Sequence, residues 1–320
     1  MGCSMSKKAA AGAIQPTIMT QAAPAHPNVL AKPAPVNATE FKEKLAPPAP
    51  QPAAAPSQAA AKKASGCCCP CGCRGGSGCS CPAGCTMCSS GCSCALPAAP
   101  LQVKALTYNL QWWSLYGERK GNDGSATTII EAAMPDVMGL QECEDVTKVM
   151  IEGGLTANYT AVQGPHALAA AFKTATWELA GEGHEVVAVD ETEQFFSSRS
   201  VMWLRLVHKE SKKAVFFLNH HGPLRINSGG RHGGPATAEK IVQVIHCNTQ
   251  PGDGVIMVGT FNAQVGSQTV RELEGYLPRT HTGIANDGID HFFSQLEMIG
   301  EENLGSGGSD HDALLATFVV

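Results

Sequence analysis

From residue 101 to residue 320 the chain repeats one pattern: a short apolar run that stops on a lone polar side chain. Residues 102–110 (QVKALTYNL) alternate as a half-buried strand does, and Ser125 to Met134 has helical spacing ended by Pro135. PDVMGLQE follows as a short buried strand, then a helical stretch at 145–152. Strand-like runs come at 159–163, 168–173, 184–189, 199–207 and 214–220. After a Gly-rich loop, Pro235–Cys247 reads as a helix, Gly254–Thr260 as a buried strand, 288–294 as a strand and Ala313–Val320 as the last one. Strands outnumber helices, and ionisable or amide side chains stand where apolar runs end. Such a chain is an α/β domain that gathers polar groups along one rim of its sheets.

Composition confines that domain to residues 101–320. All four tryptophans and all four tyrosines lie there, whereas residues 1–66 are rich in alanine and proline and lack regular apolar spacing. Such a segment buries too little apolar surface to offset its ordering entropy, so a disordered tail is expected over 1–66, with a linker at 95–100. Charge divides at the same place. Residues 1–100 hold eight Lys and Arg against two Asp and Glu, and residues 101–320 hold fifteen against twenty-six, a net of −11 for the domain. Non-specific nucleic-acid binding rests on phosphate neutralisation, so long DNA or RNA is a disfavoured partner.

The tail carries two motifs. The chain begins MGCSMSKK, which fits myristoylation at Gly2 with Ser6 in the recognition position, and Cys3 stands where a palmitoyl group is added. One acyl chain holds a protein only marginally, and Cys3 with Lys7 and Lys8 supplies the second signal for a membrane surface. No run is long enough to span a bilayer, and the first residues lack the apolar core of a secretory signal. A lipid-anchored protein on the cytoplasmic face of a membrane is expected, or otherwise a cytoplasmic one.

The second motif spans residues 67–94, with cysteines at Cys67, Cys68, Cys69, Cys71, Cys73, Cys79, Cys81, Cys85, Cys88, Cys92 and Cys94 and no histidine or aromatic residue. Paired thiolates at this spacing suit soft cations such as Zn2+ or Cu+, and the composition resembles a metallothionein segment. Disulfides fit a chain without a secretory signal less well. Metal binding, further lipidation and a plain solvated linker remain three open readings of this segment.

The apolar runs of the domain carry, in order, LTYN (Asn109), LQE (Glu142), FLNHHGPL (His221), VGTFN (Asn262), GIDH (Asp290) and GSDH (Asp310 and His311). No one of these is specific, but the ordered series resembles the deoxyribonuclease-like endonuclease/exonuclease/phosphatase superfamily over essentially all of 101–320. The resemblance implies a four-layer α/β/β/α sandwich of two mixed sheets and hydrolysis of phosphoesters at a divalent cation, Mg2+ or Mn2+. It places Glu142 as the main metal ligand, assisted by Asn109 and Asp310. His221 and Asn262 match the donors to the phosphate, and Asp290 with His311 matches an orienter and its base.

One position departs from the pattern. The usual Gly-Asp-x-Asn is here Gly259-Thr260-Phe261-Asn262, so Thr260 stands where the family's aspartate positions and deprotonates the attacking water. A hydroxyl holds a water but accepts no proton at neutral pH; losing a general base costs about 10²–10⁴ in rate unless another group takes over. Asp253 precedes its strand and is not promoted to the role.

Plain structural roles stand beside these assignments. Glu142 fits a helix N-terminal carboxylate, Asn109 and Asn262 fit turn or cap residues, and the pair Asp310–His311 fits a loop ion pair. Strand alternation lets one of His220 and His221 face a site, and the motif favours His221. Trp112 and Trp113 read as wall or core before they read as substrate-stacking residues. Arg199, Arg231 and His232, with Arg225, fit either an anion pocket or a solvated basic loop. For the whole chain the expected activity is phosphoester hydrolysis on a small or membrane-resident substrate such as a phosphoinositide, a sphingophospholipid or a nucleotide. The alternatives are a phosphate-binding protein without turnover and a membrane-anchored metal buffer.

Overall fold

Two strand–helix–strand crossovers organise the domain, because parallel neighbours need a long connection and antiparallel ones do not. In the computed structural model, which describes residues 36–46, 99–118, 125–190, 198–224 and 234–320, β1 (Gln102–Asn109) is followed by a π-helical turn (Trp113–Glu118), α2 (Ser125–Ala133) and β2 (Val137–Gln141). β2 lies parallel to β1, with Asn109 opposite Gln141. The second crossover repeats this arrangement: β7 (Ala214–His221), α4 (Pro235–Asn248) and β8 (Gly254–Thr260), with His221 opposite Thr260.

Antiparallel strands complete two six-stranded mixed sheets. The first runs β11 (Glu297–Asn303), β12 (Leu314–Val319), β1, β2, β4 (Ala169–Lys173), β3 (Tyr159–Gln163). The second runs β5 (Trp177–Val189), β6 (Ser198–His208), β7, β8, β10 (Asp290–Ser294), β9 (Arg279–Thr282). They face each other across one apolar layer in which Ala105, Val137 and Ala170 meet Phe217, Val258 and Phe292. Outside, α2 and α3 (Val146–Glu152) cover the first sheet, and α4 and α5 (Gln268–Tyr276) cover the second. This is the expected four-layer α/β/β/α sandwich.

The central strands approach closely because Gly139 has no side chain: a Cβ there would lie 2.7 Å from Val258 Cγ2. Beside it a buried amide pair joins the sheets. Gln141 Nε2 donates to Asn219 Oδ1 at 2.6 Å, and Asn219 Nδ2 donates to the backbone oxygens of Leu140 and Ala169 at 2.9 and 2.8 Å. Each buried amide therefore has partners, as a polar group between two sheets requires.

Residues 36–46 correct the expectation of a structureless tail through residue 66. Ala38–Leu45 forms helix α1, capped by Asn37, whose side chain accepts from Thr39 N and Glu40 N. Phe41 and Leu45, one turn apart, are buried against the α4–α5 layer. Helix α5 and strands β9 and β11 lie outside the apolar runs of the sequence, and β5 begins at Trp177, earlier than the expected 184. Among the described residues no helix is long and apolar enough to cross a membrane. Gly2, Cys3, the cysteines of 67–94, Arg225, Arg231 and His232 lie outside the described residues.

Candidate active site

Both parallel pairs finish at the same rim, and the residues at their exits face one cavity. Asn109 closes β1, Glu142 follows β2, His221 closes β7 and Thr260 closes β8; together with Asn262 and His311 they line a space of about 630 Å³. Asp290 begins β10 directly opposite Thr260 and lies beneath this lining.

Tight backbone geometry holds the exits in place. A Cβ at Gly259, where φ is +151°, would lie 2.0 Å from His220 O, and one at Gly222 would lie 2.1 Å from Phe261 O. Only glycine lets β7 and β8 leave the sheet this close together. Gly222 N donates to Thr260 O at 2.8 Å, and Asn262 Nδ2 donates to Gly222 O at 3.0 Å. The chain then turns left-handed at Asn262 (φ 53°), as it does after β2 at Glu142 (φ 48°). Asparagine tolerates that region; glutamate adopts it at a cost of order 1–2 kcal/mol, of the kind functional sites retain.

A continuous hydrogen-bonded line crosses the floor from one sheet to the other. Asn109 Nδ2 faces Glu142 Oε1 at 3.2 Å and Thr260 Oγ1 at 3.3 Å. The Thr260 hydroxyl donates to Asp290 Oδ1 at 2.6 Å, and His311 Nδ1 donates to Asp290 Oδ2 at 2.8 Å. The loop that carries His311 is fastened to β1, since Ser309 Oγ donates to Asn109 O at 2.7 Å and accepts from His311 N at 3.1 Å.

Asn109 is thus a donor toward Glu142. Its Oδ1 accepts from Gln111 N at 3.0 Å and keeps a second lone pair. Asp310 is half-exposed, 3.9 Å from His311 Nε2, and close enough for its charge to act on Glu142.

Charge and burial set the protonation of the site. Burial raises the Glu142 carboxyl above its ordinary value, Asp310 adds to that, and Asn109, His311 and Arg199 oppose it. His221 is held well below the ordinary histidine value by burial, then by Arg199, His220 and His311, so it is neutral at pH 7. Burial alone would lower His311 too, but the Asp290 hydrogen bond and the charges of Asp290, Asp310 and Glu142 outweigh it and hold the imidazole above its ordinary value.

Arg199 lines the cavity with its guanidinium already committed on one side. Nε donates to Asp190 Oδ2 at 2.7 Å, both groups buried, and NH1 lies 3.4 Å from His221. His220 is fully buried, its Nδ1 bonded to Ser200 O at 2.9 Å. Asp253 accepts from Arg205 at 3.0 and 2.8 Å, at the opposite end of β8 from Thr260. Six further residues line the cavity without having been singled out as site residues from sequence: Trp112, Trp113, Glu144, His166, Ala167 and Leu224. His166 carries the one legible structural sign, a left-handed backbone (φ 53°) continued at Ala167 (φ 56°), and no sequence motif announces it.

Among the described residues no group of three or more His, Cys, Asp or Glu side chains is arranged to hold a metal ion. Glu142 and Glu144 bring carboxylates to the cavity lining, and Asp310 stands beside His311, close enough for its charge to act on Glu142. A hard cation such as Mg2+ uses carboxylate oxygens with retained water before phosphate oxygens join it, and Glu142 with Asp310 would be the pair to hold one.

No protein-family model and no curated protein matches the sequence. Solved structures do match. An endonuclease/exonuclease/phosphatase from Bacteroides vulgatus superposes with a TM-score of 0.56 at 14% identity, over 69% of this chain and 99% of that one. The human Nocturnin catalytic domain with a bound sulfate anion gives 0.54 at 15%, over 69% and 96%. A mannosyl-6-phosphatase of Bacteroides thetaiotaomicron gives 0.54 at 16%, over 68% and 100%. At such identities the likeness is one of architecture, and it agrees with the two six-stranded sheets and their helices: this chain carries the endonuclease/exonuclease/phosphatase fold.

Proposed function

We propose that residues 101–320 hydrolyse a phosphoester, with a divalent cation held by Glu142 and Asp310. The observation that carries this reading is the line Glu142–Asn109–Thr260–Asp290–His311, which joins a cation-suited carboxylate to a buried aspartate–histidine pair at one cavity. Solved structures that share this fold and are named as phosphatases support the reaction class.

When bound, the cation supplies Lewis-acid stabilisation of the phosphate charge. His311 Nε2 takes the proton of the attacking water, while Asp290 at Nδ1 fixes the tautomer and balances the imidazolium that forms. Neutral His221 and Asn262 donate to phosphate oxygens, and Arg199 adds positive charge behind His221. Thr260 holds Asp290 in place, and its hydroxyl hydrogen is not free for a water.

The test is turnover of p-nitrophenyl phosphate and bis(p-nitrophenyl) phosphate by the full chain with Mg2+, Mn2+ or EDTA. Metal-dependent turnover that falls by about 10²–10⁴ in His311→Gln is expected. Absence of turnover on both, with phosphate still bound, would favour the second reading, a phosphate-binding protein; the replacement of the usual aspartate by Thr260 is the observation behind it. Acylation at Gly2 and Cys3 and a soft metal at 67–94 complete the proposal, with mass spectrometry of the native tail as their test.

A further inference from the structure

We infer that the cavity has a second half built to stack a flat ring, and that the phosphoester it takes carries a nucleobase-like group on its alcohol side. This rests on the phosphoesterase reading above and narrows its substrate.

Trp113 lines the same cavity as His221 and His311, yet it is 58% exposed. The lining of this cavity is mostly apolar with a few polar groups, the usual make-up of a small-molecule site, and the indole opens onto it. Its support is nevertheless rigid. Leu115 and Tyr116, just beyond it, are buried in the core of the first sheet, and the π-helical turn is tied down by Ser114 N and Leu115 N on Gln111 O at 2.9 and 3.2 Å. Gln111 N is itself held by Asn109 Oδ1, so the residue facing Glu142 also fixes the segment that presents the indole. Behind it Trp112 stacks on Tyr116 at 4.4 Å and 17°, with Lys148 Nζ 5.7 and 5.3 Å from the two ring centres. An exposed aromatic on a fixed backbone loses little entropy when a ring settles on it.

A polar group for the ring's edge lies in the same cavity. His166 Nδ1 is engaged by Ser200 Oγ at 2.8 Å, and Nε2 makes no hydrogen bond among the described residues. Burial and the neighbouring His184 and Arg199 keep this imidazole below its ordinary value, hence neutral. A heteroaromatic ring uses such a nitrogen; an acyl chain does not. The volume, about 630 Å³, suits a ligand of mononucleotide size, and Glu142 and Glu144 at the lining disfavour a polyphosphate chain.

Full-length protein is titrated with adenosine 5′-monophosphate and with glycerol 3-phosphate, following tryptophan fluorescence and phosphate release; vesicles of phosphatidylcholine with phosphatidylinositol 4-phosphate form a third arm. The expected result is quenching by the nucleotide alone, and a rise of about 10- to 100-fold in KM for the nucleotide in Trp113→Ala, with glycerol 3-phosphate unaffected and Trp113→Phe close to the parent. Equal losses on all substrates, or a loss confined to vesicles, overturns the stacking site. Nucleotide quenching that Trp113→Ala abolishes, without turnover of any substrate, supports the stacking site while sinking the phosphoesterase reading.

Discussion

Thr260 gives its hydroxyl hydrogen to Asp290 at 2.6 Å, and Asp290 is the carboxylate whose other oxygen holds His311 Nδ1 at 2.8 Å. Where the resembling superfamily has an aspartate, this chain has a donor that supports the next carboxylate along. Both residues are buried, at 1% and 3% exposure, so neither the bond nor its loss is softened by water. In the proposed reaction the proton-accepting task falls on His311, the imidazole of the line, which faces the cavity.

Thr260→Val keeps the shape and deletes that donor. Asp290 loses one of its hydrogen bonds and Asn109 loses an acceptor, a cost of about 1–3 kcal/mol for buried groups left unpaired. A lower thermal midpoint and reduced turnover are expected. Thr260→Asp sets two carboxylates within hydrogen-bond distance in a buried place, where they cannot both ionise. The expectation is a further loss of stability with no gain in rate; a large gain in turnover would mean that Thr260 is a defect and His311 does not suffice.

Asp290→Asn preserves the hydrogen-bond distance but presents an amide to His311, removing the charge that favours the imidazolium. A fall of about 10²–10⁴ in kcat, with KM little changed, is expected where the group acts on the transition state rather than on binding. A comparable rise in KM at unchanged kcat would assign Asp290 to substrate binding.

Much of this arrangement is legible in sequence because the strands that matter are largely buried and carry their site residue at, or just past, the end. Both β2 and β8 are buried at every position, so the polar exits at Glu142 and Asn262 stand out against them. Other elements carry weaker marks. β9 has four half-buried residues, RTHT, and β11, EMIGEEN, is an exposed acidic edge whose stability comes from pairing with β12 rather than from apolar spacing. Helix α1 did leave a sign, Asn37 and Glu40 in capping-box spacing before Phe41 and Leu45, but the surrounding alanine and proline overrode it. The cavity roles of Trp113 and His166 depend on left-handed turns that no local pattern encodes.

Acid should destabilise the fold through buried histidines. Burial lowers His220 and His291 from 6.5 to about 4 in the folded state; the bonds to Ser200 O and Ala263 O oppose this without reversing it. The unfolded chain therefore binds more protons between roughly pH 6.5 and 4. Their contribution is intact above that window and is lost as pH falls through it, by up to roughly 3 kcal/mol for each histidine. Urea midpoints from pH 7 to 4.5, measured in a Glu142→Gln background to remove an opposing carboxyl, should fall steadily. His291→Gln should flatten the slope, and a midpoint independent of pH would contradict the buried neutral state.

The docked helix α1 gives the last expectation. Eight residues are too few to stay helical alone, so α1 is ordered by what it packs against. Phe41, 1% exposed, meets Tyr276 edge-on with ring centres 5.5 Å apart; the Tyr276 hydroxyl donates to Val36 O at 3.1 Å, and Lys44 Nζ donates to His246 O. Removing the helix returns this apolar contact on the α4–α5 layer to water. A chain of residues 101–320 should therefore unfold at a lower urea midpoint than one of residues 33–320, and Phe41→Ala in the longer chain should account for about 3 kcal/mol of the difference. Equal midpoints for the two lengths would mean that α1 rests on the domain without stabilising it.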